Sequence, residues 1–309
     1  MNIDDNGLCC PACGQELVAS TGKVNEGRVK ETNLACSKCF KEYSMLRGIA
    51  RFVDNDAYAG NFSLEWGIHR KTQLDTATRK ISKDNFMLKF GLPEAFFKGK
   101  RILDAGVGMG RYAQVALEAG AKVWGIDLSY AVDIAKQNLS EYKDVHFAQA
   151  DIFNLPFKEN YFDVIYCFGV LHHTPAPQEA FRSLLRHLKP GGLICISVYP
   201  KSSIYYTSRY LRKITVKIPK RLLYFFTTAM TLILYVPYRY LGLRYGILGR
   251  FAPISLSDSL AEAILDTYDC YSPKYQFTYF CHEVFQWFKQ AGLHDIEVRP
   301  QSITMSGYK

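Results

Sequence analysis

Beyond residue 100 the chain alternates short apolar runs with segments in which apolar residues recur every three or four positions. Five of the runs predict strands, at residues 101–105, 122–126, 145–149, 162–168 and 193–199. The segments between them predict helices. In one of these, the apolar residues from Phe181 to Leu188 form a single face, and Gly191-Gly192 is expected to end the helix. Strands that alternate with amphipathic helices predict a parallel sheet covered by helices on its faces.

Near the C-terminus, a predicted helix over residues 282–291 is followed by two short runs, 294–298 and 302–306, which predict an antiparallel edge. The expected fold class is therefore α/β: a Rossmann-like, doubly wound, mostly parallel sheet of seven strands with an antiparallel C-terminal edge. We assign residues 101–309 to this main domain. Residues 54–100, which carry many aromatic and charged residues, predict helices that lead into it.

Two segments depart from this pattern. Residues 1–53 are rich in cysteine, lysine and glycine and lack long apolar runs, which predicts a small N-terminal module of short strands. Residues 201–257 are rich in tyrosine, hold ten lysines and arginines, and contain no acidic residue. We interpret them as a basic, aromatic helical insert, a lid over the main domain. Because these ten cations exceed the net charge of +9, the basicity is local and not a general nucleic-acid coat.

The composition is that of a globular protein, with 48% hydrophobic and 22% charged residues among 309. This length suffices for one large domain and a small one. The first seven residues are polar and acidic, so no secretory signal is predicted. Nine cysteines, an odd number, fit a set of disulfides poorly, and the expected compartment is the reducing cytoplasm.

Two cysteine pairs stand in the N-terminal module. Cys10-Pro-Ala-Cys13 and Cys36-Ser-Lys-Cys39 are separated by 22 residues. Each pair can hold one side of a tetrahedral ion, and structural zinc favours a closed shell of four thiolates. The alternative is a redox-active or merely buried set of cysteines, which a second pair at the same spacing disfavours. The pattern predicts a zinc ribbon over residues 1–53, with Cys10, Cys13, Cys36 and Cys39 as ligands of a structural Zn²⁺.

A glycine-rich turn follows the first predicted strand of the main domain and opens a helix. Its sequence is Asp104-Ala-Gly106-Val-Gly108-Met-Gly110, and Asp127 ends the next strand, 17 positions after Gly110. Glycine lets a ligand approach the backbone closely, and the helix N-terminus offers free N–H donors. A carboxylate at the end of the second strand can accept hydrogen bonds from ribose hydroxyls. This order predicts a site for a ribose-bearing cofactor.

The Gly-x-Gly-x-Gly spacing resembles that of class I S-adenosylmethionine-dependent methyltransferases, and the resemblance extends over about residues 100–200. Further motifs are similar to those of methyltransferases of ubiquinone and menaquinone biosynthesis: Gln149-Ala-Asp151, Leu155-Pro-Phe157, Phe162-Asp163, Gly169-Val-Leu-His172-His173 and Leu188-Lys-Pro-Gly-Gly192. Residues 8–53 resemble the small zinc-ribbon activator proteins of tRNA methyltransferases. The stretch from Trp66 to Gln73-Leu-Asp75 and the later segment Tyr271-Ser-Pro-Lys-Tyr275 resemble uncharacterised bacterial methyltransferases that carry such a ribbon.

This resemblance implies S-adenosylmethionine as the cofactor and assigns residues to its parts. The implied cofactor-binding residues run from the glycine turn, which holds the methionine moiety, through the ribose site to the adenine site: Asp104, Gly106, Gly108, Gly110, Asp127, Leu128, Asp151 and Ile152. Two of these have simpler alternatives, since Asp104 can be a strand-end turn residue and Asp151 a turn or helix cap.

Methyl transfer requires alignment of donor and acceptor, and an acceptor that carries a proton also requires a base. His172 and His173 follow the fourth strand at the edge where ligands bind in such sheets, and either is a candidate catalytic base. The alternative is that they cap the next helix or pack beneath the cofactor. The motif for methylation of planar amino groups is absent, and Cys167-Phe-Gly169 occupies its place. We therefore expect transfer to oxygen or carbon of a small-molecule or lipid-linked acceptor.

Three interpretations of residues 201–257 remain open. The segment can be a lid over the acceptor, it can lie on an anionic membrane, or it can bind RNA phosphates together with the ribbon. Its uncharged run, residues 222–238, falls short of the about 20 residues expected for a membrane-spanning helix. The second interpretation implies a location at the inner face of a membrane, and the third an RNA methyltransferase. A non-catalytic, methyltransferase-like scaffold is a further alternative, and no obligate protein partner is inferred.

Overall fold

The described part of the chain is organised around one sheet of eleven strands. The computed structural model describes residues 7–21, 32–201, 203–246, 249, 251–300 and 302–309. The strands are β1 (Leu17–Thr21), β2 (Thr32–Cys36), β3 (Glu42–Leu46), β4 (Ile49–Arg51), β5 (Arg101–Ala105), β6 (Lys122–Asp127), β7 (Val145–Gln149), β8 (Phe162–Phe168), β9 (Leu188–Val198), β10 (His294–Arg299) and β11 (Ile303–Tyr308).

Nine helices are described alongside this sheet. They are α1 (Gly60–Ile68), α2 (Ile81–Phe90), α3 (Arg111–Glu118), α4 (Ala131–Asn138), α5 (Pro177–His187), α6 (Ser203–Thr215), α7 (Lys220–Tyr240), α8 (Leu260–Tyr271) and α9 (Cys281–Gln290). Apolar side chains on the two faces of the sheet form two buried clusters with the helices that cover them. None of the described helices is both long enough and apolar enough to cross a membrane.

The strand order is β1-β2-β3-β4-β7-β6-β5-β8-β9-β11-β10. Strands β7, β6, β5, β8 and β9 are parallel, and β11 and β10 are antiparallel to their neighbours. The order reverses between β5 and β8, which opens a crevice at their carboxyl ends. The predicted fold class, a doubly wound α/β sheet with an antiparallel C-terminal edge, is confirmed.

The N-terminal ribbon extends this sheet. Strand β4 pairs in parallel with β7, with Ala50 opposite Ala148 and Arg51 opposite Gln149. The sequence pattern predicts a separate small module, but the ribbon shares backbone hydrogen bonds with the main sheet. A strand of three residues is too short to show a periodicity. Its partner lies nearly one hundred positions away, so the local sequence does not reveal the pairing. The boundary at residue 53 stays a prediction.

The predicted end of the helix before Gly191-Gly192 differs from the structure. Helix α5 ends at His187, before the glycine pair, and β9 begins at Leu188. Gly191 and Gly192 instead exchange backbone hydrogen bonds with Lys309, at 2.7 Å and 3.0 Å. The C-terminal residue therefore draws this segment into the sheet, a contact that local sequence does not reveal.

The basic insert contains α6 and α7. One face of α7 packs against α8, where Leu223 contacts Tyr268 and Tyr271. The other face is exposed and apolar, with Phe225 65%, Ile233 70% and Val236 57% accessible. An exposed apolar helix face is typical of a surface that contacts another protein or a membrane.

Candidate active site

The turn between β5 and α3 is built on glycines with positive φ. Gly106 has a φ of +94°, and a Cβ at this position would lie 2.2 Å from a methyl group of Val170. Both conditions exclude a side chain, so only glycine fits. The Gly108 N–H donates to Asp127 Oδ2 at 3.0 Å, which ties the turn to the end of β6. The backbone of the turn is therefore held open towards a ligand.

Asp127 is anchored on both of its oxygens. Besides the bond from Gly108, Oδ1 accepts from the Ser129 N–H at 2.8 Å and from its hydroxyl at 2.6 Å. Burial raises the pKa of the Asp127 carboxyl, and the hydrogen bonds from Ser129 oppose that shift. A carboxylate offers about four acceptor positions, so about one remains for a ligand hydroxyl. This arrangement fits one ribose hydroxyl.

A cavity opens at the crevice between β5 and β8. Six of the ten predicted cofactor and catalytic residues line it: Gly106, Gly108, Asp127, Leu128, Ile152 and His173. Apolar side chains dominate its remaining wall, with Tyr58, Phe62 and Trp66 contributed from the region around α1. Such a wall suits the flat face of a nucleobase beside a polar ribose position.

The other four predicted residues lie outside this cavity. Asp104 is buried and accepts a hydrogen bond from Tyr166 at 2.8 Å, and burial raises its pKa to about 7. Asp151 Oδ1 accepts from the Phe153 N–H at 3.0 Å, so this side chain caps a turn. A Cβ on Gly110 would lie 2.9 Å from a methyl group of Leu139, away from the ligand.

His172 is the fourth predicted residue outside the first cavity. It adjoins His173 in the sequence, but the two histidines have different environments. His172 is fully buried, neither ring nitrogen has a hydrogen-bond partner among the described residues, and its ring lies 3.9 Å from that of Tyr199. His173 lines the cavity, and its Nδ1 lies 3.0 Å from the Tyr275 carbonyl oxygen. A carbonyl only accepts, so Nδ1 carries the proton and Nε2 has a free lone pair. Burial lowers the pKa of His173, which keeps the ring neutral.

A second cavity adjoins the first at Gly106 and His173. Its wall includes Asp104 and Arg111 near the glycine turn. It also includes three acidic residues that the sequence analysis did not select: Glu65 from α1, and Asp266 and Asp269 from α8. The Tyr199 hydroxyl donates to Asp269 at 2.7 Å, and Asp269 lies 3.9 Å from His173 Nε2.

A partial signal for these acids exists in the sequence. Asp266 and Asp269 stand three positions apart in α8 and therefore lie on the same side of that helix. Glu65 stands between Leu64 and Trp66 and is the single charged residue of α1. Neither pattern by itself shows that the two helices face a common cavity.

The four cysteines of the ribbon are brought together as the spacing predicts. Their sulfur atoms all lie within 4.8 Å of one another, with Cys10 3.6 Å from Cys39 and Cys13 3.4 Å from Cys36. Zn–S bonds of about 2.3 Å in a tetrahedron place the sulfurs roughly 3.8 Å apart, so the cluster fits zinc. The Tyr43 hydroxyl lies 3.2 Å from Cys10 Sγ and can orient that ligand.

Residues 103–196, which contain the glycine turn and His173, match a protein family described as a methyltransferase domain. This match agrees with the predicted methyltransferase domain. The domain is 39% identical over 110 residues to phosphoethanolamine N-methyltransferase 2 of Caenorhabditis elegans. It is 32% identical over 112 residues to the ubiquinone biosynthesis O-methyltransferase of Coxiella burnetii.

These matches leave much of each protein uncovered. They span 34% and 36% of this chain, and 25% and 48% of the respective relatives. Among solved structures, Haemonchus contortus phosphoethanolamine N-methyltransferase 2 in complex with S-adenosyl-L-methionine aligns with 81% of this chain and 44% of its own, at 20% identity and a TM-score of 0.45. A Haloferax volcanii complex that contains a methyltransferase activator aligns with 80% of this chain and 96% of its own, at 14% identity and a TM-score of 0.48.

Proposed function

We propose that this protein is an S-adenosylmethionine-dependent methyltransferase that acts on a small-molecule or lipid-linked acceptor. The single observation that carries the proposal is the cavity wall shared by the glycine turn and Asp127 inside the methyltransferase domain. When bound, the cofactor supplies a methyl group on a positively charged sulfur. The protein's task is to hold donor and acceptor in line and to exclude water.

Each wall of the first cavity has a role in this proposal. The open backbone of Gly106 and Gly108 takes the methionine part, Asp127 takes a ribose hydroxyl, and Leu128 and Ile152 flank the adenine. Asp104 lines the second cavity and accepts a hydrogen bond from Tyr166. It supports the glycine turn without lining the first cavity. Asp151 and Gly110 shape the loops and do not contact the cofactor in this scheme.

His173 is the proposed base, and His172 is not. Of these two histidines, His173 lines both cavities and His172 lines neither. The Nε2 of His173 is free to accept a proton from the acceptor group. The absent motif for planar amines disfavours a planar amino group and leaves oxygen, carbon and an aliphatic nitrogen open as the methylated atom. The two curated relatives carry O-methyltransferase and N-methyltransferase in their names, so they do not decide between acceptor atoms.

The direct test of this function is binding of S-adenosylmethionine and S-adenosylhomocysteine to the full chain by calorimetry, followed by incubation of a cell extract with methyl-labelled donor. We expect binding of both ligands and a labelled small molecule or lipid in the extract. Absence of donor binding would contradict the proposal and favour the non-catalytic scaffold.

We also propose that the exposed face of α7 rests on an anionic lipid surface. Phe225, Phe226, Ile233 and Val236 recur at helical spacing on this face and are more than half exposed. Lysines and arginines flank the face, and no acidic residue lies within residues 201–257. An apolar face bordered by cations is typical of helices that lie in a membrane interface. A phosphate-tracking RNA surface would instead carry its cations along the face.

Flotation with vesicles tests this surface. The full chain should float with vesicles that contain phosphatidylserine and less with phosphatidylcholine alone, because cations add to apolar burial. Phe225→Ser with Ile233→Ser should weaken flotation, whereas Val298→Ser, a change of an exposed apolar residue on β10, should not. Binding to RNA with unchanged affinity in the α7 double variant, and no flotation, would overturn the membrane proposal.

The ribbon is proposed to bind Zn²⁺ structurally. Four thiolates fill its coordination shell, which leaves no position for a substrate. Its resemblance to activator proteins supports a role in stabilising the methyltransferase domain, which its pairing with β7 would provide.

A further inference from the structure

The second cavity has an acidic end formed by two helices that are distant in the sequence. Glu65 comes from α1, and Asp266 and Asp269 come from α8. Besides burial, the charges of Asp269 and Asp266 raise the pKa of Glu65, and the charge of Asp269 raises the pKa of Asp266. Acidic residues alone define no site, since they also gather for structural reasons.

Glu65 has a carboxyl group that is buried and incompletely paired. The residue is only 2% exposed and lines the cavity, and its Oε2 has no hydrogen-bond partner among the described residues. Asp269 Oδ1 is likewise buried without a partner. Buried carboxyl oxygens are nearly always paired, because leaving one unpaired costs the desolvation energy of the group. Two of them in one wall indicate that a ligand supplies the missing donors.

Aromatic rings complete this end of the cavity. Phe62, Trp66 and Tyr199 come from two different parts of the chain and line the same space. The faces of such rings attract cations, and carboxylates add hydrogen bonds and opposite charge. An anionic acceptor group would be repelled here, and a neutral hydroxyl could donate to only one of the open oxygens.

The cations of the cavity lie elsewhere. Lys89 donates to Ser197 at 3.0 Å, and Arg111 lies beside Tyr112 and influences Asp104. Arg212 is near Asp269 but donates to the Cys270 carbonyl at 3.1 Å and does not line the cavity.

The pKa of Glu65 agrees with an acidic end of the cavity that lacks a neighbouring cation. Burial raises the pKa of Glu65 well above its usual range, and the charges of Asp269 and Asp266 raise it further. A positive charge placed beside this group would offset both effects and lower its pKa again.

We propose that the acceptor presents a cationic aliphatic amine, held by Glu65, Asp269 and the aromatic rings beside His173. This inference rests on the proposed methyltransferase function and specifies its substrate class. It is compatible with the missing planar-amine motif, because an aliphatic ammonium group is tetrahedral and bears a full charge.

The chemistry balances without a further reactant. The ammonium first gives one proton to His173 Nε2, which leaves a neutral amine with a free electron pair. That pair forms the new N–C bond to the methyl group, the C–S bond breaks, and its electrons remain on sulfur. The product is a methylated ammonium and a neutral thioether, and the proton on His173 passes to solvent.

The test compares a cation with its uncharged isostere. Ethanolamine, as its ammonium ion, and 1-propanol share a shape and differ in charge and in N–H donors. Binding of each to the full chain is measured by calorimetry in the presence of saturating S-adenosylhomocysteine. We expect ethanolamine to bind about tenfold or more tightly than the alcohol. Its binding should also release protons, which two buffers of different ionisation enthalpy would reveal. Equal binding of the two compounds, or binding of neither, would overturn the inference.

Variants identify the site. Glu65→Gln should abolish the preference for ethanolamine and the proton release, and Asp269→Asn should weaken the preference. Glu118→Gln removes an exposed carboxylate from α3 and should change nothing. Circular dichroism and binding of S-adenosylhomocysteine report whether each variant folds. Unchanged preference in a folded Glu65→Gln variant would also overturn the inference.

The two proposals fail separately. Loss of donor binding by the unmodified chain would contradict the methyltransferase function itself. Donor binding together with methylation of hydroxyl compounds, and none of aliphatic amines, would leave that function intact and refute the amine acceptor.

Discussion

Arg51 of the ribbon lies 2.7 Å from the Asp133 carboxylate of α4, and both side chains are buried. Arg51 also donates to Gln149 Oε1 at 3.2 Å. Gln149 in turn donates to the Leu128 carbonyl at 2.9 Å, and Leu128 lines the candidate cofactor cavity. A buried ion pair therefore joins the ribbon to α4, and the Gln149 amide joins it to the cavity wall.

Replacing Arg51 by Met should destabilise the protein by about 3–5 kcal/mol, because Asp133 would be left charged and buried without its partner. Urea unfolding measures this change. Arg47→Met is the matched control, since Arg47 lies 3.9 Å from the same carboxylate but is 78% exposed, and its loss should cost about 1 kcal/mol or less. Similar costs for both variants would contradict the assigned role of the buried pair.

The ribbon should contain one zinc ion per chain. Cys13→Ser removes one of the four clustered sulfurs and should abolish zinc binding, measured by elemental analysis. Thermal stability should fall with it, because metal binding stabilises such modules directly. Cys9→Ser is the control, since Cys9 lies beside the cluster and is not part of it. The four-sulfur assignment would be wrong if Cys9→Ser lost the metal and Cys13→Ser kept it.

Asp127 and Asp151 should differ in their effect on donor affinity. Asp127→Ala removes an acceptor for the ribose and the anchor of Gly108, and we expect affinity to fall by a factor of about 10 to 100. Asp151→Ala removes only a turn cap and should change affinity by a factor of about 3 or less. Calorimetry with S-adenosylhomocysteine measures both. A larger loss for Asp151 would reverse the assignment.

His173 should produce the acidic limb of the pH–rate profile. Burial lowers its pKa below the ordinary 6.5, so the ring is neutral and able to accept a proton at pH 7. The rate should fall as pH decreases through that lowered pKa. His173→Ala should reduce kcat by a factor of about 10² to 10⁴ and remove the limb. His172→Ala should retain it, and its loss in that variant would point to the wrong histidine.

His172 should make stability depend on pH. Burial lowers its pKa well below 6.5, so the unfolded chain binds a proton at a higher pH than the folded protein does. Its contribution to stability is complete above pH 6.5 and is lost as pH falls towards the folded-state pKa. In His172→Leu the free energy of unfolding should decline less between pH 6.5 and 5. An unchanged slope would contradict the burial of this ring.

Local sequence predicts much of this molecule because its signals are local. Apolar runs and helical spacing are read within one element, and β5 has the predicted bounds, residues 101–105. Two cysteines held by one tight turn, or glycines between a strand and a helix, likewise act within a few positions. Even so, the glycine pattern assigns Gly110 and the family resemblance assigns Asp151 to the cofactor site, and the structure places both outside the first cavity.

The sequence by itself determined the order of strands and helices, the four cysteines that cluster in the ribbon and the position of the glycine turn. Only the tertiary structure decided that β4 joins β7, that His173 and not His172 lines the cavity, and that Glu65 faces Asp269. These relationships join residues that are adjacent in space but up to two hundred positions apart in the chain. They depend on how helices and strands pack, and packing follows from the summed burial of many side chains that no single segment specifies.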